Sequence, residues 1–152
     1  MKSGTSSPAA KIFGNQTPTF RTAPPMASSD GLKAAKLLKA GGLTLDPWQV
    51  DVISDWMAKA ADGRWAASTC GGSVPRQNGK SYAARFYAVY MGVFEHRQVL
   101  YSAHHSTTTN KMFKALCNLF ESPERYPEFA RDVKNISHVR GYEGIYFKDW
   151  QD

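Results

Sequence analysis

The sequence predicts an α/β fold in which helices pack against a parallel β-sheet. Between residues 43 and 120, segments with the character of strands alternate with segments that place apolar side chains at helical spacing. A Gly-Lys-Ser tripeptide lies where one predicted strand passes into a helix. The composition, with 42% hydrophobic and 21% charged residues, is that of a globular domain. Strands that alternate with helices favour a parallel sheet covered by helices.

Residues 1–42 are predicted to form a disordered basic leader that contains one short helix. Small and polar residues dominate up to Asp30, so this stretch has too few large apolar side chains to offset the entropy of ordering. Residues 32–40 have helical character, and Gly41 and Gly42 end them. The leader has six basic side chains and one acidic side chain, so it carries +5 of the chain's net charge of +6.

Residues 43–152 are predicted to form one incomplete domain that begins with a helix at residues 47–60. Asp46 can cap this helix, Pro47 suits its first turn, and Gln49 occupies the position of a capping-box partner. The other predicted elements are a strand at 65–74, a loop at 75–79, a helix at 80–94, a strand at 98–103, a helix at 107–120, and two final strands at 133–139 and 144–147 that can pair as a hairpin.

The segment from Val74 to Ser81 has the properties of a phosphate-binding loop. Such a loop needs a tight turn, inward-facing backbone N–H groups, a lysine for the β- and γ-phosphates, and a hydroxyl for Mg²⁺ at the start of a helix. Gly79 permits the turn, and Lys80 and Ser81 open the helix. Val74 stands where the general pattern has its first glycine. An ordinary strand-to-helix turn is the alternative.

The run Val-Pro-Arg-Gln-Asn-Gly-Lys-Ser at residues 74–81 resembles the deviant Walker A motif of tailed-phage terminase large subunits, the ATPase motors of DNA packaging. Upstream, residues 45–49 look like the adenine-binding segment of these motors. Downstream, residues 99–116 are similar to the strand and helix that follow their loop, so the resemblance covers roughly residues 43–149. It implies a P-loop NTPase-type parallel sheet flanked by helices, present here as a partial domain.

The resemblance also implies the roles of individual residues in binding ATP and Mg²⁺. Lys80 would bind the β- and γ-phosphates and Arg76 would approach the γ-phosphate, which makes these two the catalytic residues. Ser81 would coordinate Mg²⁺, and Gln49 would select adenine. The implied nucleotide-binding set is Gln49, Pro75, Arg76, Gln77, Asn78, Gly79, Lys80 and Ser81. Two alternatives stay open: Gln49 as a capping-box partner alone, and Arg76 as a solvated loop arginine.

One part of such a motor is missing from the sequence. ATP hydrolysis in this class also needs an acidic residue at the end of a second core strand. Residues 145–149 are the nearest candidate, but Lys148 interrupts them and Trp150 stands where an activating glutamate is expected. The Walker B strand is therefore expected beyond residue 152, and the carboxyl-terminal nuclease domain is absent. We expect a truncated or split gene product, whose ATPase activity on its own is an open question.

The function implied by the resemblance is that of the amino-terminal ATPase segment of a terminase large subunit, which drives viral genome DNA into a procapsid. Its implied partners are double-stranded phage DNA, the portal and the small terminase subunit, and the complete motor is expected to be a homo-oligomer. Two other functions stay open. One is a helicase-like DNA translocase, because such proteins also pair an upstream glutamine with a P-loop. The other is a non-catalytic nucleic-acid-binding or interaction module that uses the basic leader.

The remaining features predict the location and exclude other kinds of site. No apolar run approaches the roughly 18 residues of a membrane span, and the polar start differs from a secretory signal, so a soluble protein of the host cytoplasm is expected. Cys70 and Cys117 are predicted to be buried thiols, since their spacing fits neither a disulfide framework nor a zinc site. His104 and His105 are predicted to end a strand rather than to bind a metal.

Overall fold

The computed structural model describes residues 15–148, which contain five helices and four short strands. The helices are α1 Gly31–Ala40, α2 Pro47–Trp56, α3 Lys80–Val93, α4 Ser106–Phe120 and α5 Pro127–Ala130. The strands are β1 Ser28–Ser29, β2 Ala58–Lys59, β3 Val133–Ser137 and β4 Gly144–Phe147. Predictions for the start of the leader and for residues 149–152 lie outside the described residues.

The start of α2 confirms the predicted capping box. Asp46 precedes the helix with φ −70° and ψ 155°, an extended conformation, and Pro47 occupies the first turn. The Oε1 atom of Gln49 accepts a hydrogen bond from the Asp46 amide at 2.8 Å. The helix ends at Trp56, earlier than predicted, because the chain then pairs with β1 as the antiparallel strand β2.

One hydrophobic core joins α1, α2, α3, α5 and the end of α4. Its fully or almost fully buried side chains are Ala34, Leu38, Ile53, Met57, Phe86, Val89, Tyr90, Leu119, Phe120 and Phe129. Close approach of α1 to α2 requires a glycine at the start of α1, since a Cβ on Gly31 would overlap the backbone of Ser54. Because α1 contributes to this core, it packs together with helices that follow residue 42. The division of the chain into a leader of residues 1–42 and a domain of residues 43–152 stays a prediction.

The last two strands form the predicted hairpin. β3 and β4 pair in antiparallel register, with Ser137 opposite Gly144 and Ile136 opposite Ile145. The hairpin is held against the helices by Phe147, whose ring lies 5.2 Å from that of Phe120 in an edge-to-face arrangement.

Two other predicted strands are not strands in the structure, and this prediction was wrong. Of residues 65–74, Trp65 makes a single bridge to Lys59, and residues 98–103 have no strand partner within residues 15–148. Leu100, predicted to lie in a buried strand, is 94% exposed. An extended segment becomes a strand only where a neighbour supplies a row of backbone partners, and the described part of the chain offers residues 65–74 a single bridge and residues 98–103 no strand partner. It contains two antiparallel two-stranded sheets and no parallel sheet, so the P-loop-type sheet stays a prediction.

The second half of the leader contacts the helical body. Its backbone is mostly irregular, but Arg21 forms an ion pair with Asp55 of α2, with Nε donating to a carboxylate oxygen at 2.9 Å. Asp30 forms another with Lys59 at 2.5 Å, and the Ser29 hydroxyl donates to the Ser54 carbonyl at 2.6 Å. These contacts hold residues 21–30 against α2 and β2. Nowhere in residues 15–148 is a helix both long enough and apolar enough to cross a membrane.

Candidate functional site

The tight turn predicted at Gly79 is present, and it immediately precedes α3. Gly79 has φ 80° and ψ 12°, a left-handed conformation that favours glycine. A second reason also requires glycine here, because a Cβ would lie 2.6 Å from Nε2 of Gln49. Gln77 has a left-handed φ of 64° as well, which costs a residue with a side chain roughly 1 to 2 kcal/mol. Two left-handed residues within three positions fold the loop back on itself.

The N-terminus of α3 is open to an anion. The carbonyl of Gly79 accepts hydrogen bonds from the amides of Tyr82 and Ala83, both at 3.0 Å. Helix geometry leaves the amides of Lys80 and Ser81 without an intrahelical acceptor, and the structure supplies no side-chain cap and no acidic residue in the first turn. These groups and the helix dipole favour a negatively charged ligand at this end.

The side chain of Lys80 folds back across the loop. Its Nζ atom donates to the carbonyl of Val74 at 3.1 Å, which joins the two ends of the candidate loop. An ammonium group has three donors, so two remain for a ligand. Lys80 and Ser81 are both exposed. The structure therefore places a positive charge and a hydroxyl at the same helix start.

Gln49 is a buried bridge between α2 and the loop. Only 2% of the residue is exposed, and its Nε2 donates to the carbonyl of Gly79 at 3.0 Å while its Oε1 closes the capping box. Both ends of the amide are thus engaged within the protein. The capping-box role is confirmed, and the contact with adenine stays a prediction that requires this amide to use its second proton or second lone pair.

The remaining loop residues project from the surface. Pro75, Arg76, Gln77 and Asn78 are exposed, and Arg76 forms no ion pair with any residue in the described range 15–148. This is the arrangement of a solvated arginine. Its contact with a γ-phosphate stays a prediction, since that contact depends on a bound nucleotide.

Two open clefts of the described residues are lined by none of residues 74–81. One, of about 550 Å³, is lined by the aromatic and basic side chains of Tyr82, Arg85, Arg125 and Tyr126. The other, of about 520 Å³, lies between Lys59, Trp65 and Arg97. A phosphate is bound in a shallow concavity formed by backbone amides of a turn and does not need a deep cavity, so these clefts do not displace the loop as the candidate site.

The two cysteines differ in their exposure to solvent. Cys117 is buried as predicted, and burial raises the pKa of its thiol to about 11. Cys70 is exposed, so the prediction of a buried thiol there was wrong. The reason is that residues 65–74 lie on the surface instead of forming a packed strand.

A cluster of metal-ligating side chains was missed at the level of sequence. One ligand atom each of Cys117, Glu121 and His138 lies within 4.8 Å of the other two. Cys117 lies on α4 and Glu121, four residues later, caps the end of this helix, a spacing that puts them on one side and that sequence alone displays. His138 is 17 residues beyond Glu121 and joins them only through the position of the hairpin.

Comparison with models of protein families, with curated proteins and with solved structures finds no match.

Proposed function

We propose that this chain is the amino-terminal ATPase segment of a tailed-phage terminase large subunit and binds Mg·ATP at residues 75–81. One observation carries the proposal: Gly-Lys-Ser opens α3 with Gly79 left-handed, the helix start uncapped and the Lys80 ammonium folded over the loop. A turn that merely joined two elements would not need a lysine across its ends. Residues 74–81, which have this geometry, are also the residues whose sequence resembles the Walker A motif of terminase large subunits.

Each residue of the loop has a distinct part in this proposal. The amides of Lys80 and Ser81, with those of the turn before them, bind phosphate oxygens at the positive end of α3. On nucleotide binding, the Lys80 ammonium gives up its hydrogen bond to the Val74 carbonyl and donates to the β- and γ-phosphates instead. The Ser81 hydroxyl coordinates Mg²⁺. Arg76 swings from solvent to the γ-phosphate. Gln49 holds the Gly79 carbonyl and contacts adenine through its remaining hydrogen-bonding capacity.

ATP hydrolysis would move double-stranded phage DNA through the portal into the procapsid, with the small terminase subunit as a further partner. The complete motor would be a homo-oligomer in the host cytoplasm. The segment described here supplies the phosphate-binding part, and an acidic residue for the Mg²⁺ shell is still required for turnover.

A second candidate is a non-catalytic nucleic-acid-binding module, which the surface of α1 favours. Lys33, Lys36 and Lys39 are spaced three residues apart and are all exposed, so they point to one side of the helix. Binding through this row would depend strongly on salt. A triple replacement of these lysines by glutamine would abolish DNA binding in this case, and Lys80→Ala would leave it unchanged.

The decisive experiment is the binding of Mg·ATPγS, measured by calorimetry on the full chain, on Lys80→Ala and on Lys114→Ala. Lys114 is an exposed lysine of α4 that is not among the residues proposed to contact the nucleotide, so it controls for the loss of a positive charge. We expect binding by the wild-type chain and by Lys114→Ala, and its loss in Lys80→Ala. Circular dichroism checks that each variant is folded. A folded wild-type chain that does not bind, or a Lys80→Ala variant that binds equally well, would overturn the proposal.

A further inference from the structure

The Cys117, Glu121 and His138 cluster lies on the face of α4 that meets the β3–β4 hairpin. Cys117 is 3% exposed, whereas the side chains of Glu121 and His138 are 45% and 60% exposed. The cluster therefore has a buried sulfur at its base and an open side toward solvent. A metal ion could enter from that side without any movement of the backbone.

The distances suit a small ion after modest side-chain rotation. The His138 Nε2 and Glu121 Oε1 atoms are 3.0 Å apart, and all three ligand atoms lie within 4.8 Å of one another. Around a tetrahedral zinc ion, ligand atoms are about 3.4 to 3.7 Å apart, given bonds of about 2.0 to 2.3 Å. The histidine and glutamate side chains are exposed enough to adjust by this amount.

The orientation of the imidazole is already restricted. The ring of His138 lies edge-to-face with that of Phe113, with the ring centroids 5.6 Å apart. Phe113 and Cys117 lie four residues apart on α4, and Glu121 follows at the same interval as the residue that caps the helix. One side of this helix end therefore both orients the histidine and supplies two ligands. Holding the ring in place lowers the entropy lost when a metal binds.

The chemistry of the three donors selects among metals. Thiolate, imidazole and carboxylate are the three ligand types that zinc uses in proteins, whereas calcium and magnesium require oxygen ligands. A thiolate and a carboxylate together carry two negative charges, which neutralise Zn²⁺ with the imidazole neutral. Three protein ligands leave the fourth position of a tetrahedral site for water on the open side.

We propose that Cys117, Glu121 and His138 form a zinc-binding site that ties α4 to the β3–β4 hairpin. The Glu121–His138 contact is then the metal-free form of this site, with a proton where the ion binds. The site is independent of nucleotide, since its residues belong to neither the loop nor α2. Zinc would stabilise the folded chain in proportion to its affinity, because the three ligands come together only when the hairpin is packed on the helix.

The test uses Zn²⁺ and Co²⁺ on the full chain after removal of metals by a chelator. Co²⁺ bound to a thiolate gives a charge-transfer absorption band, and Zn²⁺ affinity follows from competition with a chromophoric chelator. The informative variants are Cys117→Ser and His138→Ala, and their matched controls are Cys70→Ser and His104→Ala. Cys70 and His104 are exposed and lie outside the cluster.

We expect one Zn²⁺ per chain, the thiolate band with Co²⁺, and an increase in the melting temperature with zinc. Cys117→Ser and His138→Ala should each weaken zinc binding by at least about tenfold, the effect seen even for outer partners of metal ligands. The two controls should bind like the wild-type chain. Lys80→Ala should also bind zinc normally, which separates this proposal from the nucleotide site.

His138→Ala keeps the test decisive if the buried Cys117→Ser change unfolds the chain, because His138 is on the surface. Equal zinc affinity of His138→Ala and the wild-type chain would overturn the proposal. So would binding that disappears in the Cys70→Ser or His104→Ala variant, or Co²⁺ binding without the thiolate band. In each of these cases Glu121 and His138 form a hydrogen bond and no metal site.

Discussion

Replacing Gly79 with alanine tests the geometry of the loop directly. The left-handed φ of 80° costs a residue with a side chain roughly 1 to 2 kcal/mol. The new Cβ would also lie 2.6 Å from Gln49 Nε2, so Gln49 must move and lose its 3.0 Å hydrogen bond to the Gly79 carbonyl. Leaving a buried amide without its partner costs about 1 to 3 kcal/mol. We therefore expect Gly79→Ala to lower the free energy of unfolding by about 2 to 5 kcal/mol.

Gly63 is the matched control for this change. It has the same φ of 80°, but nothing lies within 4 Å of a Cβ placed there. Gly63→Ala should therefore cost only the backbone strain of roughly 1 to 2 kcal/mol. Equilibrium unfolding in urea, with equal slopes for all variants, measures the difference between the two glycines.

A double variant identifies the atom responsible. In a Gln49→Ala background the clash with the amide is gone, so Gly79→Ala should cost no more than Gly63→Ala. The reasoning fails if Gly79→Ala and Gly63→Ala destabilise the chain equally. It also fails if Gln49→Ala leaves the cost of Gly79→Ala unchanged.

Four further predictions concern the core, the cysteines and the leader. Phe129→Ala should lower the free energy of unfolding by about 3 to 5 kcal/mol, since Phe129 is 1% exposed. The control Phe20→Ala, at an 81% exposed site, should change it little. Equal costs of the two changes in urea unfolding would place Phe129 outside the core. A thiol reagent near neutral pH should modify Cys70 and spare Cys117, as mass spectrometry of peptides would show, and rapid modification of both would contradict the burial. Burial raises the pKa of Cys117 in the folded chain to about 11, so its contribution to stability is complete below the unfolded pKa and is lost as the pH rises from there through about 11. Cys117→Ala should reduce this alkaline loss. An unchanged slope of the free energy of unfolding against pH would refute the prediction. Arg21→Ala should lower the stability only slightly and lose that effect at high salt, because the pair with Asp55 is open to solvent; a large, salt-independent cost would indicate a different role.

Local conformation was predictable at the start of α2 and at the candidate loop. The capping box depends on Asp46 and Gln49, which are three residues apart, and the tight turn at Gly79 follows from a glycine placed just before a helix. The final hairpin also follows from local pattern, with turn residues between two apolar runs. Each of these features depends on residues close together in the chain.

Contacts between distant residues were not predictable in the same way. The strands expected at residues 65–74 and 98–103 have the right composition, but strand pairing needs a partner strand, and the described residues supply only a single bridge, from Lys59 to Trp65. The exposure of Cys70 follows from that difference. Burial of Gln49 against the Gly79 carbonyl joins residues 30 positions apart and gave no signal in the sequence.

The starts of α1 to α4, their apolar faces, and the glycine, lysine and serine together at the start of α3 could all be read from the sequence, whereas the short helix α5 could not. The predictable properties follow from side-chain chemistry and helical spacing within a few residues. Three contacts became visible in the fold alone: Gln49 supports the loop, Lys80 closes it onto Val74, and His138 meets Cys117 and Glu121. The physical reason is that such contacts depend on how helices and hairpin pack around one core, and packing is a property of the whole chain.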